Sequence, residues 1–344
     1  MIFMNKTKSN ILFRISGGQA FGKELGTGHI YRSMNLAKKL ISHNIFFLLE
    51  DYGNSYQILA KNGFKNIKII KKEISLNSDI DISKKTIQKN NIDILIIDKF
   101  DSNTKKYAKH MHKLIKTIVI PDVNKIDYDV DLVINGFIGY KNSKIKNRFG
   151  TRCLLGPKYQ ILNEQFEKNN SRKKEKFSLL VTFGGFDEHN LLDLFCSRIE
   201  NFIDKISVKI ILGAATKKSK KVRLLELKYP KSVKIINSTN NMKKELSDVE
   251  YGLCSGGITT YEFASLGIPF AIICQYKHQL HTAKEWNKKN IALNLGYPNS
   301  QTKFRIDNFL EQIISKKINL KTQKSLVDGF GAKRISNEIL GLIQ

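Results

Sequence analysis

The chain has 344 residues, of which 41% are hydrophobic and 10% aromatic, enough apolar material for a sizeable core and for two domains. This composition excludes a disordered or fibrous protein. The formal net charge at pH 7 is +27, which could attract polyanions. The lysines are spread along an Ile-, Asn- and Lys-rich sequence, however, and no patch interleaves arginines with aromatic residues. We therefore expect no nucleic-acid partner.

The cysteines and the apolar runs exclude further classes. The cysteines stand far apart without C-x-x-C spacing, so the sequence predicts neither a metal site nor a disulfide framework. They are Cys153, Cys196, Cys254 and Cys274. The N-terminus lacks the apolar region of a signal peptide, and no run approaches the roughly 18 apolar residues that span a bilayer. We expect a cytoplasmic protein, and a peripheral contact with a membrane surface stays open.

The first half of the chain alternates short β-branched runs with helix-length segments. Such alternation predicts βαβ units and a parallel sheet. After the first run, Met34, Ala37 and Leu40 recur at helical spacing and predict a helix over residues 30–40. The predicted strands cover residues 11–15, 45–49, 92–97, 117–120 and 132–134.

A polar, charged stretch at residues 167–176 interrupts this alternation and predicts a linker. A second α/β series follows. Its predicted strands cover residues 178–183, 208–212, 233–236, 251–254 and 270–274. The sequence therefore predicts an α/β fold of two Rossmann-like domains, residues 1–166 and 177–344, facing across a cleft where ligands of doubly wound folds bind. The final helices, near 306–315 and 332–343, close the second domain or cross back to the first.

The loop Gly26-Thr27-Gly28-His29 is the first motif that carries chemistry. Its glycines permit a sharp turn, and the helix N-terminus that follows attracts an anion. The imidazole of His29 is suited to take a proton from water or from a sugar hydroxyl. An ordinary tight turn with a capping histidine is the alternative. Arg14 and Arg32 are candidate substrate-binding residues, although Arg14 could instead pair with surface carboxylates.

A second glycine motif follows the first strand of the second domain. Gly184 and Gly185 allow a backbone to approach a diphosphate closely, and we interpret Asp187 and Asn190 as further substrate-binding candidates. The alternative is a strand-to-helix turn in which Asp187 caps the helix.

The third motif combines a strand, Ser255-Gly256-Gly257 and a helix N-terminus, which together predict a phosphate cradle. Glu262 lies three residues beyond Thr259, on the same face of that helix. A carboxylate there can accept hydrogen bonds from both ribose hydroxyls, and an exposed helix-surface carboxylate is the alternative. Gln279 is a further candidate, for which a surface role is an equal possibility.

Together these motifs resemble the two-domain glycosyltransferase-B superfamily. Within it, the chain is most similar to the UDP-2,4-diacetamido-2,4,6-trideoxy-β-L-altropyranose hydrolases of the pseudaminic-acid pathway and to related spore-coat polysaccharide proteins. The resemblance runs over nearly the whole chain, since it includes Ile97-Asp98, residues 156–162 and residues 328–335.

The resemblance implies that water activated by His29 attacks the anomeric carbon of a UDP-sugar with loss of UDP. It implies that the second domain holds UDP, with Glu262 at the ribose and residues 255–257 at the phosphates, and that no cofactor is needed. Two departures affect the sugar pocket. Ser16 stands where the family has an acidic residue, and Lys99-Phe100-Asp101 replaces His-Tyr-Gly, so a tyrosine hydroxyl is lost.

Two alternatives remain open at this point. A glycosyltransferase would share the same glycine loops and glutamate but orient an acceptor hydroxyl in place of water. A non-catalytic protein would use the fold for binding or assembly, and His29 would then be dispensable.

Overall fold

The computed structural model describes residues 8–18, 26–99, 101–123, 125–167, 176–213, 216–321 and 325–343. These residues divide into two compact units. The first contains the described residues up to Ile161 and those from Phe330 onward, and the second runs from Leu162 to Gly329. The centre of the predicted linker, residues 168–175, lies outside the described residues.

The described residues of the first unit form an eight-stranded sheet in the order β3-β2-β1-β4-β5-β6-β8-β7. Neighbouring strands are parallel except β7, which runs antiparallel to β8. The strands are β1 (Asn10–Gly18), β2 (Asn44–Tyr52), β3 (Asn66–Ile70), β4 (Ile94–Asp98), β5 (Lys116–Val119), β6 (Leu132–Asn135), β7 (Ser143–Lys146) and β8 (Arg152–Leu155). The helices between them are α1 (Gly28–Lys39), α2 (Ser55–Lys61), α3 (Leu76–Lys89) and α4 (Thr104–His112).

The central strands of this sheet are buried on both faces, because successive side chains of a strand point to opposite faces and helices cover each face. Phe13 packs with α1 in one apolar cluster, whereas its neighbour Leu12 packs in another with Tyr107 of α4. In β4, Ile96 belongs to the α1 cluster and Ile97 to the other. The central strands therefore show the near-continuous apolar runs from which they were predicted.

The described residues of the second unit form a six-stranded parallel sheet in the order β11-β10-β9-β12-β13-β14. The strands are β9 (Phe177–Thr182), β10 (Val208–Ile211), β11 (Val233–Ile236), β12 (Val249–Cys254), β13 (Phe270–Ile272) and β14 (Ala292–Asn294). The helices are α5 (Leu191–Ile199), α6 (Lys220–Lys228), α7 (Met242–Leu246), α8 (Thr259–Leu266), α9 (Gln279–Lys288) and α10 (Thr302–Ile314).

Each sheet reverses its strand order at one point, between β1 and β4 in the first unit and between β9 and β12 in the second. In doubly wound sheets, ligands bind beyond the carboxyl ends of the strands at such a point. The predicted motifs follow β1 in one sheet and β9 and β12 in the other. All the predicted strands overlap observed ones, and the α/β fold class is confirmed.

The C-terminal helix, α11 (Gly331–Ile343), was predicted within the second domain, residues 177–344, but the structure places it in the first unit. Ile335 and Ile339 are fully buried in the apolar cluster that contains α1, so the helix belongs to the first unit. The first residue of the helix packs directly against the backbone of that unit, since a Cβ at Gly331 would lie 2.0 Å from the carbonyl oxygen of Gln160. Among the described residues, no helix has the length and hydropathy that crossing a bilayer requires.

Candidate functional site

The loop that carries His29 leads directly into α1. Gly28 is the first residue of that helix, and Gly26 accepts a hydrogen bond from the backbone N–H of Gly18 at 3.4 Å. A Cβ at Gly17 would lie 2.7 Å from the side chain of Ile30, so glycine at this position lets the end of β1 pass close to α1. The structure thereby places the start of α1, with His29, beside the carboxyl end of β1.

Asp98, the last residue of β4, organises the charged groups beside His29. Its Oδ1 lies 2.6 Å from His29 Nδ1, and its Oδ2 accepts a hydrogen bond from Ser33 Oγ at 2.8 Å. Arg32 donates to both carboxylate oxygens, from Nε at 3.0 Å and from Nη2 at 2.5 Å. Arg32, predicted to bind substrate, is thus engaged with Asp98.

The buried Asp98 is ionised. Burial by itself would raise the pKa of this carboxyl, but the charge of Arg32, the charge of His29 and the hydrogen bonds from both hold it well below its usual range. An ionised carboxylate can only accept hydrogen bonds, so Nδ1 of His29 must be the donor in their contact. In a neutral imidazole with its hydrogen on Nδ1, Nε2 carries the lone pair that can accept a hydrogen bond.

A second carboxylate faces the other nitrogen of His29. Asp122 Oδ1 lies 3.8 Å from His29 Nε2, and both side chains are partly exposed, 24% for Asp122 and 15% for His29. Asp122 follows β5 in the loop that begins with Ile120, whose carbonyl oxygen lies 3.4 Å from Arg32 Nη2. The imidazole thus lies between two carboxylates.

Arg14 does not join this site, which corrects its predicted role in substrate binding. Its side chain is fully buried and forms ion pairs with Asp79 at 2.8 Å and Glu50 at 3.0 Å. Burial by itself would lower the pKa of Arg14, but the charge and hydrogen bond of Asp79 raise it well above its ordinary value. Arg14 shares a sheet face with Leu12, opposite to the face of Asp98 and α1.

Lys99 extends the same buried ion-pair network to the residue after Asp98. Its Nζ lies 2.6 Å from Asp79 Oδ2 and 2.8 Å from Asp101 Oδ2, and it sits 4.7 Å from the ring centre of Tyr107. Because Lys99 is anchored to α3 and α4, the end of β4 that presents Asp98 is held in place. Phe100, whose predicted effect is the loss of a tyrosine hydroxyl, lies outside the described residues.

In the second unit, the Gly184-Gly185 turn packs tightly against other backbone. Gly184 has φ +83°, a left-handed conformation that favours glycine. A Cβ at Gly213 would lie 2.1 Å from the carbonyl oxygen of Gly184. The turn after β9 therefore requires glycine at position 184 for its conformation and at position 213 for its close packing. Its contact with a ligand stays a prediction.

Asp187 caps α5, which was the alternative interpretation of this residue. Its carboxylate accepts the backbone N–H groups of Leu191 at 2.9 Å and Leu192 at 2.8 Å, and the side-chain amide of Gln275 at 2.8 Å. Asn190 precedes α5 in the left-handed conformation, with φ 52°. These contacts give Asp187 a structural role in shaping the loop that follows β9.

The Ser255-Gly256-Gly257 turn connects β12 to α8. Gly256 is packed against Gln279, whereas a Cβ built at Gly257 meets no described atom within 4 Å. Gln279 accepts the backbone N–H groups of Gly256 at 3.2 Å and Gln275 at 2.9 Å. The side-chain oxygen Oε1 of Gln279 therefore links the loop after β12 to the loop after β13. The turn is open at Gly257.

Glu262 lies in the first turn of α8, one turn beyond the Ser255-Gly256-Gly257 loop. Burial raises the pKa of Glu262 to about 7, although a hydrogen bond with Thr259 opposes the shift. The helix is seated closely on the sheet, since Gly252 of β12 leaves room for the ring of Phe263. A partly buried carboxylate thus lies beside a helix N-terminus, on the same face of α8 as Thr259, as predicted.

The structure also identifies residues that the motifs alone did not assign to the site. Asp98, Ser33 and Asp122 all contact or face the His29 group. Asp98 could have been found, because an acidic residue that ends a central strand lies at the switch point beside the strand that leads to His29. Asp122 had no comparable signal in its Pro-Asp-Val context.

Comparison with known proteins places the chain among distant relatives. No family model matches. The chain is 30% identical over 291 residues to the uncharacterised protein MJ1062 of Methanocaldococcus jannaschii, covering 77% of this chain but only 56% of MJ1062. It is 26% identical over 335 residues to the spore coat polysaccharide biosynthesis protein SpsG of Bacillus subtilis, covering 92% of this chain and 94% of SpsG. The chain is thus a distant homologue of SpsG.

Solved structures share its fold at low sequence identity. MurG of Acinetobacter baumannii superposes with a TM-score of 0.62 at 12% identity, covering 97% of this chain and 99% of MurG. The complex of MnaA from S. aureus with UDP gives the same TM-score and identity, covering 97% of each chain. These likenesses confirm the predicted glycosyltransferase-B type of fold, built from two parallel-sheet units.

Proposed function

We propose that the chain hydrolyses a UDP-activated amino or deoxy sugar at its anomeric carbon and releases UDP and the free sugar. The product would enter the synthesis of a surface polysaccharide or of a pseudaminic-type nonulosonic acid. The observation that carries the proposal is the 2.6 Å contact between His29 Nδ1 and the buried, ionised Asp98. A cytoplasmic location remains part of this proposal.

In the proposed reaction His29 is the general base. Water attacks the anomeric carbon and its proton passes to His29 Nε2, while the bond between that carbon and the diphosphate oxygen breaks and its electron pair leaves with UDP. Asp98 acts through His29 as a positioning residue, because it orients the imidazole and stabilises the imidazolium that forms. The network of Arg32 and Ser33 holds Asp98 ionised in turn.

The second unit is the proposed nucleotide-binding part. Backbone N–H groups of the Ser255-Gly256-Gly257 turn and the N-terminus of α8 would meet the diphosphate and stabilise the charge that develops on departing UDP. Glu262 would accept hydrogen bonds from the ribose hydroxyls. Distant homology to SpsG, a polysaccharide biosynthesis protein, and the fold shared with a UDP complex support this class of substrate.

A glycosyltransferase is the competing proposal, since the same imidazole and carboxylate could activate a sugar hydroxyl. Incubation of the purified protein with UDP-sugars and no acceptor separates the two. The panel would contain UDP-N-acetylglucosamine and UDP-2,4-diacetamido-2,4,6-trideoxy-β-L-altropyranose. We expect equal amounts of UDP and free sugar to accumulate. Turnover that begins only after an acceptor is added would show transfer instead.

The role of His29 is tested by His29→Ala. We expect turnover to fall by about 10²-fold or more, as for loss of a general base, while UDP binding measured by calorimetry is unchanged. His110→Ala, which removes another histidine of the first unit, is the matched control and should retain activity. Full activity of His29→Ala would instead assign the proton transfer to another base.

A further inference from the structure

The position of Asp122 opposite His29 is set by the framework of the first unit. Its carbonyl oxygen accepts a hydrogen bond from the side chain of Asn135, at the end of β6, at 3.1 Å. Two residues earlier, the carbonyl oxygen of Ile120 lies 3.4 Å from Arg32, which also binds Asp98. Pro121 between them restricts the backbone φ angle. The loop therefore presents Asp122 at a defined place relative to the imidazole.

The distance between Asp122 Oδ1 and His29 Nε2 is unsuited to a direct hydrogen bond. It is 3.8 Å, whereas such bonds are about 2.7–3.2 Å long. One water molecule about 2.8 Å from each atom can nevertheless donate to both, because the two bonds then meet at the water oxygen at roughly a right angle, close to the angle between its O–H bonds. Both side chains are partly exposed, 15% for His29 and 24% for Asp122.

We infer that Asp122 and His29 together bind the nucleophilic water, and that Asp122 selects water over an alcohol. This inference rests on the proposed hydrolysis and adds what determines its nucleophile. Water has two protons and can donate one to each acceptor while an oxygen lone pair points to the anomeric carbon. An alcohol has a single hydroxyl proton, so binding it at His29 leaves its alkyl group against the carboxylate of Asp122.

The step is balanced without a further reactant. The water oxygen forms the bond to the anomeric carbon, one proton passes to Nε2 of His29, and the other stays on the new sugar hydroxyl with its hydrogen bond to Asp122. The electron pair of the broken carbon–oxygen bond leaves with UDP. Asp122 then faces the imidazolium and stabilises it across the same 3.8 Å gap.

The experiment measures partition between water and methanol. Wild-type protein, Asp122→Ala and Asp122→Asn are incubated with the UDP-sugar that the wild type hydrolyses, in the presence of methanol, and free sugar and methyl glycoside are counted by mass spectrometry. Asp127→Ala is the matched control. It removes another partly exposed carboxylate from the same segment, and that carboxylate pairs with Arg148 and not with His29. Thermal unfolding confirms that each variant is folded.

We expect Asp122→Ala to hydrolyse about 10–10²-fold more slowly and to raise the ratio of methyl glycoside to free sugar about tenfold. Asp122→Asn, which keeps one acceptor oxygen, should lie between Asp122→Ala and the wild type. An unchanged partition ratio in Asp122→Ala, with the wild type active, overturns the inference and leaves the hydrolase standing. A wild-type protein that releases no UDP without an acceptor refutes the hydrolase and this inference together.

Discussion

At the scale of residues, the difference between Arg14 and Arg32 shows how position decides the role of a charge. Both guanidinium groups pair with buried carboxylates. Arg14 lies within β1 and points to the sheet face opposite α1, so its charge serves the core of the first unit. Arg32 lies one turn into α1 beside His29, so its charge keeps Asp98 ionised at the candidate site.

Glu262 provides a pH test of nucleotide binding. Burial raises its pKa to about 7, so the ionised form that accepts ribose hydroxyls predominates above pH 7 and is lost as pH falls through that value. We expect Glu262→Gln to weaken UDP binding about tenfold at pH 8, since hydrogen bonds to charged groups contribute about 1.5–3 kcal/mol. At pH 5.5 the deficit should shrink to about twofold.

Calorimetry at both pH values measures this effect, and comparing the variant with the wild type at each pH cancels the titration of the UDP phosphate. Glu285→Gln, on α9 and paired with Lys288, is the control and should bind UDP as the wild type does. An equal deficit of Glu262→Gln at pH 5.5 and pH 8 would contradict an ionised Glu262 at the ribose.

At the scale of elements, α11 shows that the last helix stabilises the first unit. Ile335 is fully buried against the cluster that contains α1, the helix that begins beside His29. We expect Ile335→Ala to lower the free energy of unfolding by about 2–4 kcal/mol, through lost apolar burial and the cavity that remains. Amide hydrogen exchange should accelerate in α1 and α11, while α8 and β12 stay as protected as in the wild type.

Asn337→Ala is the control for this prediction, because Asn337 lies on the exposed face of α11. Its effect on the free energy of unfolding should stay within about 0.5 kcal/mol. Faster exchange in α8 after Ile335→Ala would contradict the assignment of α11 to the first unit.

Among the described residues, four observed strands were not predicted, namely β3, β7, β8 and β14. β3 and β7 are edge strands with largely exposed side chains, so their sequences carry little apolar alternation. β14 has three residues, and β8 has four, although β8 is largely buried between β6 and β7. Segments this short give only a weak periodic signal.

At the scale of the whole molecule, the two units share one strand order around their switch points but carry different chemistry. The first presents an imidazole between carboxylates, and the second presents glycine turns and a helix N-terminus. We expect UDP to slow amide exchange in the second unit, at residues 184–187 and 255–262, without changing exchange at residues 28–33. Mass spectrometry of peptic peptides with and without UDP measures this.

Two controls accompany the exchange experiment. Uridine, which lacks the diphosphate, should protect residues 255–262 less than UDP does. Glu262→Gln should reduce the protection at pH 8. Protection confined to residues 28–33 would assign nucleotide binding to the first unit and contradict the proposed division of roles.

The sequence alone determined the fold class and located the candidate site loops, because their signals are local. Buried parallel strands need continuous apolar runs, and turns between a strand and a helix need glycine, so His29 and Ser255-Gly256-Gly257 could be located along the chain. Asp98 and Asp122 joined His29 only in the tertiary structure, since residues far apart in sequence meet through strand order. Because successive side chains of β1 point to opposite faces of the sheet, Arg14 lies on the face away from His29. The burial of Ile335 and Ile339 against α1 places α11 in the first unit.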